Sequence, residues 1–205
     1  MNGAVVLAGG RSRRMGRDKA SLDWYGVPLL VHACSVVREG VDGGPVVVVA
    51  SAGQALPELP AWAAVAADAR PGIGPMQGLL DGLRALPAGV DRVFLAACDA
   101  PLLRPAFVAS LLARLEAEPE VEALIPFVRG HRHPLLAAYR ASTAGRLEEA
   151  IIRGERRAGQ IFRLRLVGED ELLHDERLAR ADPELVSVED VDTVEAYEAA
   201  LARGG

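Results

Sequence analysis

The stretch Val5-Val6-Leu7-Ala8-Gly9-Gly10-Arg11-Ser12-Arg13-Arg14-Met15-Gly16-Arg17-Asp18-Lys19 decides the fold of this chain, because an apolar run ends in paired glycines and then in clustered positive charge. Glycine lets backbone N–H groups approach an anion without a Cβ in the way, and Arg or Lys neutralises the charge of that anion. The pattern therefore predicts a strand that leads into a phosphate-binding loop. The alternative is a basic surface turn behind an edge strand.

Two common phosphate loops do not fit this stretch. In a P-loop the lysine follows a glycine and precedes Ser or Thr, whereas Lys19 follows Arg17-Asp18 and precedes Ala20. The run from Gly9 to Arg14 is not G-x-G-x-x-G, and no helical pattern opens directly behind it, as a dinucleotide-binding fold requires. A third type of phosphate loop remains.

Composition is that of one globular domain, which we assign to residues 1–205. The chain is 50% hydrophobic and 25% charged, and its net charge of −5 argues against nucleic-acid binding. Cys34 and Cys98 lie in apolar segments, where reduced, buried thiols are the default, so no disulfide framework is expected. We see neither a leader nor a membrane span and expect a cytoplasmic protein with no membrane partner.

Apolar runs and helical patterns alternate along the chain. The runs predict strands buried on both faces of a parallel sheet, and the patterns predict helices between them. The predicted strands are residues 4–8, 46–50, 63–67, 93–97 and 121–126, and the predicted helices are residues 28–38, 77–86 and 105–116. Further strands are expected at 135–139 and, at a sheet edge, 163–167, with helices at 143–153 and 194–202; residues 168–183 show too little periodicity to assign. We therefore predict a three-layer α/β/α sandwich with a mostly parallel, Rossmann-like sheet and an antiparallel edge strand.

Polar residues follow the predicted strands, where ligands bind in open α/β sheets. They are the arginine loop with Lys19, residues 51–54, Asp68 and Asp99. Asp99 follows a buried strand and suits Mg²⁺, which binds through one or two carboxylates plus substrate phosphates. Its alternative role, as an N-cap, is disfavoured because Asp99 lies several residues before the helix near Pro105.

Residues 68–79 combine a strand-end carboxylate with a rigid turn that opens into a helix. Three glycines and two prolines shape the backbone there, and backbone N–H and C=O groups in fixed positions could read the donors and acceptor of guanine. An ordinary strand-to-helix turn is the alternative.

These motifs resemble those of nucleotidyltransferases that make sugar nucleotides and dinucleotide cofactors, and most closely the molybdenum cofactor guanylyltransferases. Residues 7–19 resemble L-A-G-G-x-S-x-R-M-G-x-D-K, residues 98–101 resemble C-D-x-P, and residues 74–78 resemble G-P-x-x-G. The resemblance implies catalytic roles for Lys19, Asp99 and Arg14, and metal binding by Asp99. The nucleotide-binding residues implied by it are Leu7, Ala8, Gly9, Gly10, Lys19, Ser51, Asp68, Gly74, Pro75, Gly78 and Asp99. Ser51 departs from the family, which often carries Asn there.

Two later segments resemble family motifs less specifically. Residues 129–140 resemble a stretch ending in H/Q-P-L-x-A-x-Y; they could receive an anionic acceptor or form an exposed hairpin. Residues 188–193 resemble N/D-x-N/D-T-P-E, with Val194 in place of Pro. Asp192 is assigned as a metal ligand, with Asp190 as another candidate, and an N-cap at Asp192 is the alternative.

The resemblance implies transfer of GMP from Mg-GTP to the terminal phosphate of molybdopterin cofactor, giving molybdenum guanine dinucleotide cofactor and pyrophosphate. Mg²⁺ is then the cofactor, GTP and molybdopterin cofactor are the substrates, and cofactor delivery proteins or molybdoenzymes are candidate partners of a monomer or weak homo-oligomer. The alternatives are cytidylyl transfer to the same pterin, guanylyl transfer to another phosphorylated molecule, and a nucleotide-binding regulator without catalysis.

Overall fold

A computed structural model describes residues 1–8 and 18–204. The predicted residues Gly9, Gly10 and Arg14 lie outside the described part. The central sheet of this model has eight strands, and seven of them form one continuous order. In chain order the strands of the structure are β1 (Asn2–Leu7), β2 (Asp23–Trp24), β3 (Val27–Pro28), β4 (Val46–Ala50), β5 (Ala63–Ala67), β6 (Arg92–Ala97), β7 (Ala123–Val128), β8 (His131–Arg132), β9 (Leu136–Arg140) and β10 (Leu164–Gly168).

The sheet order is β10-β7-β9-β6-β1-β4-β5, with β8 paired to β7. β1 lies between β4 and β6 and is parallel to both, and β4 is parallel to β5. The fold class is confirmed, but the predicted antiparallel strand is not at an edge: β9 is antiparallel to β6 on one side and to β7 on the other. Residues 136–139 of β9 are apolar or aromatic, and between β6 and β7 all four are buried. An edge position would leave them less covered. The expected edge strand near 163–167 is β10, parallel to β7.

Helices cover both faces of the sheet. They are α1 (Leu29–Gly40), α2 (Pro75–Ala85), α3 (Pro105–Ala117), α4 (Ala144–Ile152), α5 (Ala158–Ile161), α6 (Glu169–Leu173), α7 (Glu176–Ala181) and α8 (Val194–Gly204). Successive residues of β1 alternate between layers: Val6 packs with α1 and α3, and Val5 packs with α2 and α4. Residues 168–183, which carried no prediction, form α6 and α7, each of which buries a single leucine, Leu172 and Leu178.

One strand is less buried than predicted. We expected residues 63–67 to be buried on both faces, but Val65 of β5 is 57% exposed. Among the described strands, β5 lies at the end of the sheet and pairs only with β4, so its small apolar side chains are covered incompletely. Among the described residues, no helix is long and apolar enough to span a bilayer.

Helix α2 packs closely against β1 because it carries two glycines, Gly78 and Gly82. A Cβ on Gly82 would lie 2.4 Å from a methyl carbon of Val5, and one on Gly78 would lie 2.8 Å from Leu7. Such distances exclude a larger side chain unless the strand moves. The two glycines therefore place the N-terminal end of α2 against the end of β1, where the predicted site lies.

Candidate active site

The centre of the candidate site is an ion-paired lysine. Lys19 Nζ donates to Asp99 Oδ2 at 2.9 Å and to Asp192 Oδ1 at 2.5 Å. The Lys19 side chain is only 12% exposed, whereas that of Asp192 is 51% exposed. Burial opposes the charge of Lys19, but the hydrogen bonds to Asp192 and Asp99 outweigh it, and the pKa of Lys19 is raised. Lys19 is thus held as a cation between two carboxylates.

Three distant segments bring these groups together. Lys19 begins a short 3-10 turn, Lys19–Ser21, and Asp99 follows β6, whose end lies beside the end of β1. Cys98 N donates to Leu7 O, which ties the end of β6 to that of β1. Burial raises the pKa of the Cys98 thiol to about 12, so this cysteine is a packing residue rather than a nucleophile.

The segment that carries Asp192 is attached directly to Asp99. Val191 N donates to Asp99 O at 2.8 Å, and the Val191 side chain is buried with Trp24, Leu29 and Leu102. This hydrophobic cluster fixes the chain before α8. It thereby presents Asp192 to Lys19 across 173 residues of sequence.

The cap of α8 is Thr193. Thr193 Oγ1 accepts from Ala196 N at 3.1 Å, which is the N-cap to N3 bond. The alternative in which Asp192 caps this helix is therefore wrong. Asp192 is instead directed at Lys19.

Three carboxylates of the described residues, those of Asp99, Asp190 and Asp192, lie near Lys19. The pKa of Asp190 is raised by burial and then by the neighbouring charges of Asp192 and Asp99. Carboxylate oxygens are the ligands that Mg²⁺ prefers. Within residues 1–8 and 18–204, no three His, Cys, Asp or Glu side chains already form a metal-binding group. The set fits Mg²⁺ held by one or two carboxylates, with the remaining ligands supplied by phosphate and water.

A second cluster lies at the ends of β1 and β4. Gln54 Nε2 donates to Ala8 O at 3.0 Å and to Asp18 Oδ2 at 3.3 Å, and Gln54 Oε1 accepts from Ser51 N at 3.2 Å. Of the two predicted nucleotide-binding residues in this cluster, Ala8 is buried and Ser51 is exposed, so Ser51 is the one that can offer a side chain to a ligand. The sequence placed Gln54 among the polar residues 51–54 after this strand but assigned it no role, because its contacts depend on how two loops meet.

The turn after β5 forms the third part of the site. Asp68 Oδ1 accepts from Arg70 N, and Asp81, near the middle of α2, accepts from Ala69 N and from the Gln77 amide. Asp81 is thus a support of this turn that sequence analysis missed. Its signal was a polar pair, Gln77 and Asp81, at a spacing of four residues among the apolar residues of α2.

Gly74 and Pro75 begin α2 and are exposed, whereas Gly78 is buried. Gly74 has φ +115° and ψ −178°, a conformation open to glycine but strained for other residues. Pro75 occupies the first helical turn, where its missing N–H costs nothing. Gly78 contacts Leu7 through packing, so its lack of a side chain already has a structural cause.

The sheet separates the two ends of the site. Asp99 follows β6 and Asp68 follows β5, and three strand spacings of roughly 4.8 Å, about 14 Å in all, lie between those strands. One cation cannot bind both carboxylates. The arrangement suits an extended ligand with one end at Lys19 and the other at the turn after β5.

The hairpin at residues 129–133 is confirmed: β8 pairs with β7, and His131 and Arg132 are exposed. Arg129, however, is held by carboxylates, because its Nη1 donates to Glu189 at 2.6 Å. Glu189 also accepts from Arg203 at 2.5 Å. The guanidinium of Arg129 therefore fastens the hairpin to the segment before α8.

Comparison with known proteins decides the family. The MobA-like NTP transferase domain family matches residues 4–172. This chain belongs to that family. It is 41% identical over 156 residues to the probable molybdenum cofactor guanylyltransferase of Mycobacterium tuberculosis (strain ATCC 25618 / H37Rv), covering 75% of each chain. With the protein of the same name from Mycobacterium avium (strain 104) it shares 38% identity over 155 residues, 74% of this chain and 76% of the relative.

A solved structure supports the fold of this MobA-like NTP transferase. The crystal structure of molybdopterin-guanine dinucleotide biosynthesis protein A from Archaeoglobus fulgidus has a TM-score of 0.73 at 24% identity and covers 98% of both chains. Membership of the family identifies the chain as a nucleotidyltransferase enzyme. The family match ends at residue 172, before the segment that brings Asp192 to Lys19.

Proposed function

We propose that this MobA-like NTP transferase moves GMP from Mg-GTP to the terminal phosphate of molybdopterin cofactor. The products are molybdenum guanine dinucleotide cofactor and pyrophosphate. The observation that carries this proposal is the cation of Lys19 held between Asp99 and Asp192 at the ends of β1 and β6. The names of the curated relatives at 41% and 38% identity support the choice of GMP and of the pterin.

Positioning and charge neutralisation account for this chemistry. An oxygen of the acceptor phosphate bonds to the α-phosphorus of GTP, and the bond from that phosphorus to the bridging oxygen of pyrophosphate breaks. The acceptor oxygen is already anionic, so no general base is assigned. Lys19 places a fixed positive charge beside the phosphates, where a preorganised charge stabilises the transition state. Arg14 is proposed to act in the same way.

Asp99 and Asp192 would hold Mg²⁺, which supplies further positive charge to the triphosphate when it is bound. In that state Lys19 and the metal would share the two carboxylates. Lys19 would then exchange part of its ion pairing with carboxylates for contact with phosphate oxygens. The hydrogen bonds to Asp192 and Asp99 raise the pKa of Lys19, so the side chain is charged where it pairs with them.

The nucleoside is proposed to lie toward the turn after β5. Gly74 and Pro75 present exposed backbone there, and Asp68 and Ser51 lie at the ends of neighbouring strands. Leu7, Ala8, Gly9 and Gly10 would follow the triphosphate from the end of β1. Gly78 acts by letting α2 approach Leu7.

Location and partners complete the proposal. Free, buried thiols at Cys34 and Cys98 agree with a reducing cytoplasm. Delivery proteins or molybdoenzymes that receive the product are the proposed protein partners, and the chain is proposed to act as a monomer or weak homo-oligomer.

The test is incubation of the protein with each of the four ribonucleoside triphosphates, magnesium and molybdopterin, followed by identification of the dinucleotide by mass. We expect kcat/KM for GTP to exceed that for ATP or CTP by about a hundredfold or more, because a wrong base leaves buried polar groups without partners. Equal use of CTP would favour cytidylyl transfer. If GTP gave a product only when another phosphorylated acceptor replaced the pterin, that acceptor would be assigned as the substrate.

A further inference from the structure

Gln54 lies in the loop after β4 and links two parts of the candidate site that are not adjacent in sequence. Its amide nitrogen donates to Ala8 O, at the end of β1, at 3.0 Å. The same nitrogen donates to Asp18 Oδ2 at 3.3 Å, and the amide oxygen accepts from Ser51 N at 3.2 Å. Both donors and one acceptor site of the amide are therefore used within the protein.

Asp18 connects Gln54 to the turn that carries Lys19. While Asp18 Oδ2 accepts from Gln54, Asp18 Oδ1 accepts from Ala20 N at 3.1 Å and caps the 3-10 turn. That turn begins at Lys19. The orientation of the turn thus depends on a carboxylate whose second oxygen is held by Gln54.

The residue at the end of β1 that Gln54 contacts, Ala8, is itself held within the sheet. Ala8 is 2% exposed, and its N–H donates to Val49 O of β4 at 2.9 Å. Gln54 therefore joins the turn that carries Lys19 to the centre of the parallel sheet. Without this link, the turn would lose its attachment through Gln54 to β1.

We propose that Gln54 is a positioning residue of this enzyme: it holds the Asp18-capped turn so that the Lys19 ammonium faces the phosphates of the bound nucleotide. Gln54 acts through Asp18 and does not contact the reacting atoms. The inference rests on the proposed function only in assigning Lys19 to phosphate. A neutral amide is required at this position because it must donate to a carbonyl and to a carboxylate at once, which a carboxylate side chain cannot do.

The decisive variant is Gln54→Glu, which keeps the size of the side chain but removes both donors and adds a negative charge beside Asp18. The matched control is Gln160→Glu, the same change at an exposed position of α5. Binding is measured by calorimetry with magnesium tripolyphosphate, which contains neither guanine nor pterin. At about pH 8, Gln54→Glu should weaken this binding by about tenfold to a hundredfold, as a small misplacement of a charged group does, and Gln160→Glu should change it less than about twofold.

A pH profile separates positioning from loss of structure. The negative charge of Asp18 beside it raises the pKa of the new carboxyl above the ordinary value for Glu, about 4.3. As the pH falls toward about 4, this carboxyl protonates and regains an O–H donor, so the ratio of variant to wild-type affinity should rise. Gln54→Met, which removes the donors without adding charge, should weaken binding in the same direction and show no recovery at low pH. Thermal unfolding of each variant shows whether the protein is folded under the conditions of the measurement.

Several outcomes would overturn the proposal. Normal tripolyphosphate binding by Gln54→Glu or Gln54→Met would show that the link is dispensable. Normal tripolyphosphate binding with lost discrimination between GTP and ATP would show that Gln54 reads the nucleoside instead. Absence of tripolyphosphate binding by the wild type would remove the assignment of Lys19 to phosphate, and the role of Gln54 with it, whereas wild-type binding without guanylyl transfer would contradict only the proposed function.

Discussion

Lys19 Nζ lies 2.9 Å from Asp99 Oδ2, although 80 residues separate them in the chain. The parallel pairing of β1 with β6 accounts for this, because both strands end at the same edge of the sheet. The same ammonium lies 2.5 Å from Asp192, which arrives from the segment before α8. The sheet therefore positions Lys19 and Asp99, and the segment before α8 completes the site with Asp192.

Loss of either charge in the Lys19–Asp99 pair should slow catalysis without unfolding the protein. Lys19→Ala and Asp99→Ala are each expected to remove ~3 kcal/mol or more of transition-state stabilisation, because each side chain acts on phosphate charge. Single-turnover rates with saturating magnesium measure the effect, and thermal unfolding serves as the control for folding. Turnover near that of the wild type would place the catalytic centre elsewhere.

The only lysine of the chain is Lys19, which makes amine labelling specific. Acylating reagents attack the neutral amine, and the raised pKa of Lys19 lowers its neutral fraction. Asp192→Asn removes part of the cause of this shift, so Lys19 should be labelled faster in that variant at the same pH. Mass spectrometry of the labelled peptide gives the rate, with the N-terminal amine of the same molecule as the internal reference. A slower or equal rate in Asp192→Asn would show that this carboxylate does not hold the proton on Lys19.

Metal binding and helix capping can be separated at two adjacent residues. Asp192→Asn should raise the magnesium concentration needed for half-maximal turnover, because an amide is a weaker ligand for a hard cation than a carboxylate. Thr193→Ala removes the cap of α8 and should cost about 1 kcal/mol of unfolding free energy while the magnesium requirement stays unchanged. If Asp192→Asn left the magnesium curve unchanged, metal binding by the described residues would rest on Asp99.

The raised pKa of Asp190 predicts a pH-dependent change in stability. Between its ordinary value and its folded value the folded protein binds more protons than the unfolded chain, so this group reduces stability as the pH rises through that interval. Asp190→Asn should therefore raise the melting temperature at neutral pH, and the gain should disappear at a pH below the ordinary range of Asp. Added magnesium should reduce the gain at neutral pH, since the metal offsets the same repulsion. A gain independent of pH would contradict this explanation.

The close approach of α2 to β1 predicts opposite effects at two helical glycines. Gly82→Ala should destabilise the protein by about 1–3 kcal/mol, because the new Cβ overlaps Val5. Gly145→Ala in α4 meets no atom within 4 Å and should stabilise by about 0.5–1 kcal/mol through helix propensity. Denaturant unfolding measures both. Combining Gly82→Ala with Val5→Ala should cost less than the sum of the single changes if the overlap is the cause.

Sequence alone predicted the parts of the site that follow strands. Lys19 and Asp99 come after apolar runs, and the ends of parallel strands must meet at one edge. Resemblance to a family motif suggested a place for Asp192 beside the nucleotide but not its pairing with Lys19. The structural cause of that pairing is the burial of Val191 beside Trp24. Gln54 and Asp81 carried no such pattern, because a single amide or carboxylate gains its role only from the loops or turns that it joins.

The sequence by itself determined the alternation of strands and helices and the family, because these depend on local spacing and residue type. The phosphate-binding loop stays a prediction. Tertiary structure alone decided that β9 lies inside the sheet, that Thr193 rather than Asp192 caps α8, and that Gln54 connects Asp18 to β1. Each of these depends on which surfaces are buried together and which donors then lack partners. Such pairings arise between residues far apart in the chain, so local patterns do not contain them.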